Sequence, residues 1–400
     1  NVNRVTVSNG VGVSAEVKSD GGVTVGASGE LGLETYSKTH NKDGSVDVKK
    51  NKVDSKIGGT YNPITQDFTV DVSGGVETKR VHTNKDGSQT RDEKKIKGNL
   101  GVEGNAAEAI ASGGALTITG GKAGFEYEHK SGTTDKDGNR EDKKFAAGGD
   151  IHISKTDVSV HGHGENTKTT RDKNGKTTKD GNKVAFGAEG HLGKDGVSGR
   201  VYADHTKTTK SKNGQETKVK NGFDLSGTAI IDEKNKKFDI GSNVKVTQTK
   251  KDGTKVTNKA GFGVNGEIDE KGNVKGGANL LVSTKTGKNG EKTKEKVAFN
   301  GNVEIGEKEF SIKANGEKSK TTINKKENTK KEEKVVLGGD VKISKNGASV
   351  KVNGEKSKTT KDKNGKTTKD GTFVSNKFIV DRKKNRLDNL RRVKNIQNKR

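Results

Sequence analysis

Hydrophobic and polar residues alternate with a period of two along most of the chain. Between positions 184 and 192, one side of an extended backbone carries Val184, Phe186, Ala188, Gly190 and Leu192, and the residues between them fall on the other. The same alternation runs through 262–268, 297–305 and 348–352. Alternation over about eight to ten residues predicts β-strands with one apolar face and one solvated face.

These predicted strands belong to a repeat with a period near 38 residues. The octapeptide NGEKSKTT occurs at 315–322 and again at 353–360, and KTTRDKNGKTTKDG at 168–181 recurs with one substitution at 358–371. Apolar residues that open successive strands keep the same period, and we expect them to align neighbouring repeats: Phe186, Phe223, Phe262, Phe299 and Leu337.

Each repeat contains two chain reversals of different character. The first kind is a polar tip such as NKDG, DKDG or KNG, typical of hairpin turns in which glycine adopts a positive φ. The predicted tip glycines are Gly44, Gly87, Gly138, Gly175, Gly214, Gly253, Gly290 and Gly365. A ninth tip near Asn328 lacks the glycine. The second kind is shorter and is predicted at 19–22, 62–67, 155–157, 193–196, 232–235, 269–273, 306–309 and 345–347, with an Ala-rich insertion at 104–114 as the ninth.

The sequence therefore predicts an all-β protein, a repetitive antiparallel β-meander of about 18 strands in nine hairpin repeats, because strands joined by short turns lie side by side. We expect residues 1–372 to form this β-hairpin domain, with irregular repeats over 1–146 and regular repeats over 147–372. A curled sheet, a solenoid-like stack and a wide barrel are the three possible arrangements of the meander.

The C-terminal segment 373–400 has a different pattern and is predicted to be a basic tail or a capping helix. Leu387, Leu390, Val393 and Ile396 recur at a spacing of three, which favours a short amphipathic helix. Such a helix either caps the sheet or contacts a polyanion or a membrane. The candidate contact residues are Lys383, Lys384, Arg386, Arg391, Arg392 and Lys394.

Composition narrows the function classes. Among 400 residues, 78 Lys and Arg stand against 53 Asp and Glu, a formal net charge of +25, and hydrophobic residues make up only 25%. A large conventional core is not expected at that value. The absence of Cys excludes a disulfide framework, a thiol nucleophile and Cys-ligated metal sites. Intrinsic disorder is the alternative that low hydrophobicity favours, but the apolar residues keep register with the turns.

No candidate catalytic site emerges from the sequence. The glycine-rich segment 113–124 lacks the spacing of a phosphate-binding loop. His161 and His163 have a spacing that suits metal ligation on a strand, but nothing fixes a third ligand. We therefore expect no enzymatic activity, no cofactor and no metal site.

Four functional expectations follow. The first is a non-enzymatic structural or adhesive scaffold, secreted or exposed on the cell surface, that self-assembles as a homo-oligomer or homopolymer. The second is a cationic membrane-active or pore-forming protein resembling a β-barrel. The third is a multivalent binder of polyanions through the Lys/Thr-rich arms that flank the tips, with acidic glycans or other anionic surfaces as partners. Specific nucleic-acid readout is not expected, because no stacking aromatic residues lie among the basic ones.

The fourth expectation comes from a resemblance. The glycine-rich, Cys-free stretch 113–127 is similar in composition to insect attacin-type antibacterial proteins. This resemblance implies an antibacterial activity, but it covers composition and no shared motif. The first residue is Asn1, which is not an initiator methionine, so a processed chain or a fragment is expected.

Overall fold

The computed structural model describes residues 1–17, 23–111, 117–193, 196–231, 236–381 and 386–399, which form 20 strands and one short helix. In chain order these elements are β1 (Val2–Val17), β2 (Val23–His40), β3 (Val46–Tyr61), β4 (Asp67–Thr83), β5 (Gln89–Asn105), α1 (Ala106–Ala111), β6 (Thr117–Thr134), β7 (Arg140–Ile153), β8 (Asp157–Arg171), β9 (Thr177–Gly193), β10 (Gly196–Lys210), β11 (Glu216–Ile231), β12 (Lys236–Thr249), β13 (Lys255–Ile268), β14 (Val274–Lys288), β15 (Glu291–Ile305), β16 (Glu309–Asn324), β17 (Thr329–Ser344), β18 (Gly347–Lys361), β19 (Thr367–Asp381) and β20 (Arg386–Lys399).

The strands pair antiparallel in chain order, which confirms the predicted all-β meander. Among the described residues, β1 pairs only with β2 and β20 pairs only with β19, so each of these strands has one unpaired edge. The meander is therefore open, and the wide-barrel alternative is wrong. The structure contains 20 strands where the sequence predicts about 18, because the nine tip hairpins comprise β2–β19, while β1 at the start and β20 at the end add one strand each.

The chain divides into two compact units. Unit 1 comprises Asn1–His191 and Ala203–Gln215, and unit 2 comprises Leu192–Tyr202 and Glu216–Arg400. Strands β1–β8 and most of β9 belong to unit 1, whereas β11–β20 belong to unit 2. Each unit thus supplies a run of nine or more antiparallel strands of its own.

The predicted C-terminal helix is wrong. Residues 367–381 form β19, and 386–399 form β20, which pairs with β19 from Asp381↔Arg386 to Thr368↔Lys399. A short isolated helix is only marginally stable in water. The edge of β19 instead offers a row of backbone hydrogen-bonding groups, so tertiary pairing overrides the spacing of the apolar residues.

The described part of the Ala-rich insertion contains a helix where a simple turn is predicted. Helix α1 follows β5 directly, and the side-chain Oδ1 of Asn105 accepts a hydrogen bond from the backbone N–H of Glu108 at 3.1 Å. Asn is a favoured N-cap residue, and Ala and Glu are strong helix formers. Local propensity therefore accounts for this departure from the β pattern.

Most other reversals lie where the sequence predicts them. Five of the short turns, at 62–67, 155–157, 269–273, 306–309 and 345–347, separate consecutive strands. The predicted turns at 19–22 and 232–235 lie outside the described residues, as does the middle of the turn at 193–196. The ninth polar tip forms without glycine, because Asn328 itself adopts a φ of 51°.

No apolar side chain is buried in the part of the chain that the structure describes. Each strand contributes alternate residues to two faces of one sheet layer, and within a unit no second layer of described residues covers either face. Within the same residues, no helix has the length and apolar character needed to cross a membrane.

Candidate association surface

Residues directly opposite each other in an antiparallel pair point to the same face of the sheet. The strand registers of unit 2 therefore define cross-strand rows, which run perpendicular to the strands. The row nearest the short turns is apolar at every position from β13 to β19: Ile268, Val274, Ile305, Phe310, Ile343, Ala348 and Val380.

Four more rows on the same side continue this pattern toward the polar tips. On β15 the five rows pass through Ile305, Val303, Gly301, Phe299 and Val297. The three central rows contain no charged residue on any strand from β11 to β19. We call these five rows on β11–β19 the apolar face of unit 2; its two outer rows include three lysines, Lys236, Lys318 and Lys356.

The large side chains of the apolar face are exposed to solvent. Phe299 is 48% exposed and Leu337 is 65% exposed, values far above those of a protein core. Five rows span nine residues, or about 27 Å along a strand, and nine strands span about 40 Å across the sheet. The face therefore covers roughly 1,000 Å², more than the ~800 Å² that each partner contributes to a standard interface.

Large side chains on this face lie over glycines of the neighbouring strand. A Cβ atom built on Gly266 would lie 2.6 Å from Cζ of Phe238, the residue directly opposite on β12. Leu337 likewise contacts the position of Gly354 on β18. In unit 1, the ring of Phe186 occupies the space above Gly162 in the same way. The glycines therefore let large side chains lie flat, which smooths the face.

Unit 1 has an apolar face of the same construction. One of its central rows reads Val7, Leu33, Val53, Val76, Ile96, Tyr127, Ala147, Gly164 and Val184 across β1–β9. This row and the two that follow it toward the short turns contain no charged residue on these strands.

The border of the apolar face toward the tips is charged and balanced. The row that follows Val297 reads Glu295, Lys320, Glu333, Lys358 and Asp370 from β15 to β19, so opposite charges face each other on every adjacent pair of strands. Lys320 Nζ lies 2.9 Å from Glu295 Oε1, and this contact lowers the pKa of Glu295. The apolar side of unit 2 thus carries little net charge.

The opposite side of the same strands is polar. Asn279, Asn300 and Asn315 face one another on β14, β15 and β16. Next to them, Glu317 lies between Lys296 and Lys334, at 3.4 Å and 3.2 Å. Partial burial alone raises the pKa of Glu317, but the two ammonium groups outweigh it, so the net pKa is lowered. This side is solvated, and the apolar and polar sides of the sheet are clearly separated.

The structure brings together three of the five predicted repeat-aligning residues. Phe262, Phe299 and Leu337 share one row, with Leu280 and Gly316 between them. Phe223 lies in the adjacent row, opposite Val244. Phe186 lies on β9 in unit 1, opposite Gly162, and so is not part of either row.

All eight predicted tip glycines have a positive φ, between 79° and 92°.

The predicted C-terminal contact residues do not lie on a helix. Lys383 and Lys384 lie outside the described residues, and Arg386, Arg391, Arg392 and Lys394 belong to strand β20 rather than to a helix. They therefore do not form the basic helical face that the sequence predicts.

Five histidines of unit 1 are paired with carboxylates: His82, His129, His152, His161 and His191. His161 Nδ1 lies 3.0 Å from Asp150 Oδ2, its Nε2 lies 3.2 Å from Glu189 Oε1, and both contacts raise the pKa of His161. No group of three or more potential ligands is placed to hold a metal ion among the residues that the structure describes.

Comparison of the chain with protein-family models, with curated proteins and with solved structures finds no match.

Proposed function

We propose that the protein is a non-enzymatic, self-associating β-sheet scaffold whose apolar faces pack against those of further copies of the chain. One observation carries this proposal: an apolar face of interface size, with no charge in its three central rows, is exposed in a chain that buries no apolar side chain among its described residues. Exposed apolar patches of this size are typical of interaction sites.

A second copy suits this face for three reasons. The first is geometric, since two sheets pack face to face at about 10 Å with their inner side chains interdigitating. The second is chemical, since the face carries no charge in its central rows and a balanced row at its border. The third is that the polar side would stay in water, so that association stops at two layers.

The net charge of the chain does not oppose this packing, although a charge of +25 favours solubility and a monomeric state in general. In unit 2, the excess of lysine lies on the polar side of the sheet, away from the apolar face. Two apolar faces can therefore meet without bringing the main clusters of positive charge together.

A lipid bilayer is the alternative occupant. The ~27 Å height of the apolar face is close to the ~25 Å apolar band of membrane-spanning strands. However, an open sheet edge does not lie within the hydrocarbon of a membrane, because its backbone groups would stay unpaired there. The balanced charge of the apolar side also offers no special attraction to anionic lipids. The scaffold proposal is therefore the better supported one.

Two adjacent leucines of β14 provide a matched test. Leu280 lies on the apolar face and is 48% exposed, whereas Leu281 lies on the polar side and is 38% exposed. Sedimentation velocity over a concentration series should show association of the wild-type protein. Leu280→Lys should weaken that association at least about tenfold, because it places a charge in the interface, whereas Leu281→Lys should leave it unchanged.

Equal behaviour of the two variants would contradict association through the apolar face. A wild-type protein that stays monomeric in solution and binds neutral phosphatidylcholine vesicles would favour the membrane alternative instead. Far-UV circular dichroism of both variants checks that the strands remain folded.

A further inference from the structure

The polar side of unit 2 carries a second surface, which lies on the tip halves of β11–β19. Three consecutive cross-strand rows on this side contain 13 lysines and one acidic residue, Glu332. We call them the lysine face. Its lysines are Lys218, Lys220, Lys245, Lys255, Lys259, Lys285, Lys292, Lys294, Lys296, Lys330, Lys334, Lys361 and Lys369.

Most of these charges are not neutralised within the sheet. Lys296 and Lys334 are paired with Glu317, and Lys330 is paired with Glu332. The other ten lysines form no ion pair with any residue that the structure describes. An exposed surface of about 13 cations in three rows creates a strong positive potential.

Lysines face lysines directly on this surface. Lys245 is opposite Lys259 on β12 and β13, and Lys285 is opposite Lys294 on β14 and β15. Like charges at such positions destabilise a sheet. On the other side of the sheet, Lys320 on β16 is placed opposite Glu295 on β15 instead. The lysine face thus works against the stability of the sheet, as is typical of a surface that binds a ligand.

Unit 1 provides an internal comparison. The equivalent three rows on β1–β9 contain six carboxylates among their basic residues. Five of these carboxylates form ion pairs. Lys144, for example, lies 3.2 Å from Glu128 and 3.0 Å from Glu165, and Glu165 also pairs with Lys183. The basic residues of these rows are therefore partly compensated in unit 1 and largely uncompensated in unit 2.

The remaining residues of the lysine face indicate the class of ligand. Between the lysines lie hydroxyl side chains, such as Ser283, Ser319 and Thr257, and the three rows contain no aromatic residue and no Arg. Bases of single-stranded nucleic acids require aromatic stacking platforms, which are absent. Ammonium groups suit sulfate and carboxylate groups as point charges, and hydroxyls can donate to and accept from the hydroxyls of sugars.

We infer that the lysine face of unit 2 binds an acidic polysaccharide, a linear chain of sugars carrying sulfate or carboxylate groups. Lysines two residues apart on one strand, such as Lys292 and Lys294, lie about 6.8 Å apart, and neighbouring strands lie about 4.8 Å apart. An extended polyanion lying across the strands would therefore meet at least one lysine of this face on every strand from β11 to β19 except β16. This inference does not depend on the association of the apolar faces, because the two surfaces lie on opposite sides of the sheet.

Binding of heparin, a sulfated polysaccharide, tests the inference in the full-length protein. The test variant combines Lys259→Gln, Lys285→Gln and Lys294→Gln on the lysine face. The matched control combines Lys320→Gln, Lys331→Gln and Lys358→Gln, which removes the same charge from the other side of unit 2 at positions outside the apolar face. At about 50 mM salt, the test variant should bind heparin about tenfold more weakly and with a shallower salt dependence. The control should bind within about twofold of the wild type.

Three results would overturn the inference. The first is no binding of heparin by the wild-type protein. The second is an equal loss in the two triple variants, which would show attraction by net charge alone. The third is binding of short duplex DNA, or of phosphatidylserine vesicles, as tight as that of heparin, which would make another polyanion the ligand. Misfolding does not confound the test, because removing facing lysines should leave the unfolding midpoint equal or higher.

Discussion

Phe238 lies flat over Gly266 on the neighbouring strand, so that its ring fills the space in which a side chain at position 266 would stand. Gly276, which is opposite Gly266 on β14, lacks such a neighbour, since the closest atom to a Cβ there is the backbone oxygen of Asn265 at 3.6 Å. Two glycines that face each other in one row thus have different roles. One accommodates an aromatic ring, and the other is open.

This difference predicts different effects of the same substitution. Gly266→Ala should lower the free energy of unfolding by about 1 kcal/mol, because the ring of Phe238 must move. Gly276→Ala should be neutral or stabilising by up to about 1 kcal/mol, since alanine loses less backbone entropy than glycine in a strand. Urea denaturation measures both values. The penalty at Gly266 should vanish in a Phe238→Ala background, and a penalty that persists there would contradict the role of the ring.

The tip glycines are predicted to act through backbone conformation alone. Gly175 and Gly365 have φ values of 80° and 84°, which β-branched residues strongly disfavour. Gly175→Val and Gly365→Val should each lower the free energy of unfolding by about 1–2 kcal/mol.

Asn provides the control at the tips. Asn289 and Asn328 already occupy turn positions with φ values of 47° and 51°, so Gly365→Asn should cost less than Gly365→Val. Chemical denaturation followed by circular dichroism compares the free energies of unfolding of the two variants. Equal stability of the Val and Asn variants would contradict the turn assignment.

Histidine 82 is predicted to respond to pH. Its Nδ1 lies 2.8 Å from Asp47 Oδ1, and the hydrogen bonds to Asp47 and Asn84 raise the pKa of His82 above the ordinary value of about 6.5. The protonated histidine therefore stabilises unit 1 fully below about pH 6.5. That contribution is lost as the pH rises through the higher pKa of the folded state.

An NMR titration of the His82 ring measures this pKa directly. The Asp47→Asn variant should return it toward the ordinary value, because the main hydrogen-bonding carboxylate is removed. A His82 pKa that is the same in the wild type and in the variant would show that the contact with Asp47 does not form in solution.

Much of the fold follows from the sequence because two local signals agree. Alternation with a period of two defines the strands, and glycine at tips such as Gly253 defines the hairpins, so consecutive strands pair in chain order. Both signals are short in range. The apolar face could be anticipated for the same reason, since alternate residues such as Phe299 and Val297 must share one side of a strand.

Features that depend on pairing between distant residues are not contained in local patterns. Leu387 and Leu390 fit a helix by spacing, but the free edge of β19 makes 386–399 a strand. Phe223 keeps the repeat period, yet the register with β12 shifts it one row away from Phe262. The lysine face requires the register as well. Lysines two residues apart, such as Lys292 and Lys294, can be assigned to one side of a strand from the sequence alone. Which lysines of the neighbouring strands lie opposite them depends on the register.

The most direct test of association through the apolar face uses the absence of cysteine from the chain. A single cysteine can be introduced at Ala278, on the apolar face, or at the adjacent Asn279, on the polar side of the same strand. The rate at which a soluble thiol reagent modifies each variant is then measured as a function of protein concentration. The Ala278→Cys thiol should become protected as the concentration rises, while the Asn279→Cys thiol stays reactive. Equal reactivity of the two thiols at every concentration would contradict the proposal that the apolar faces pack against each other.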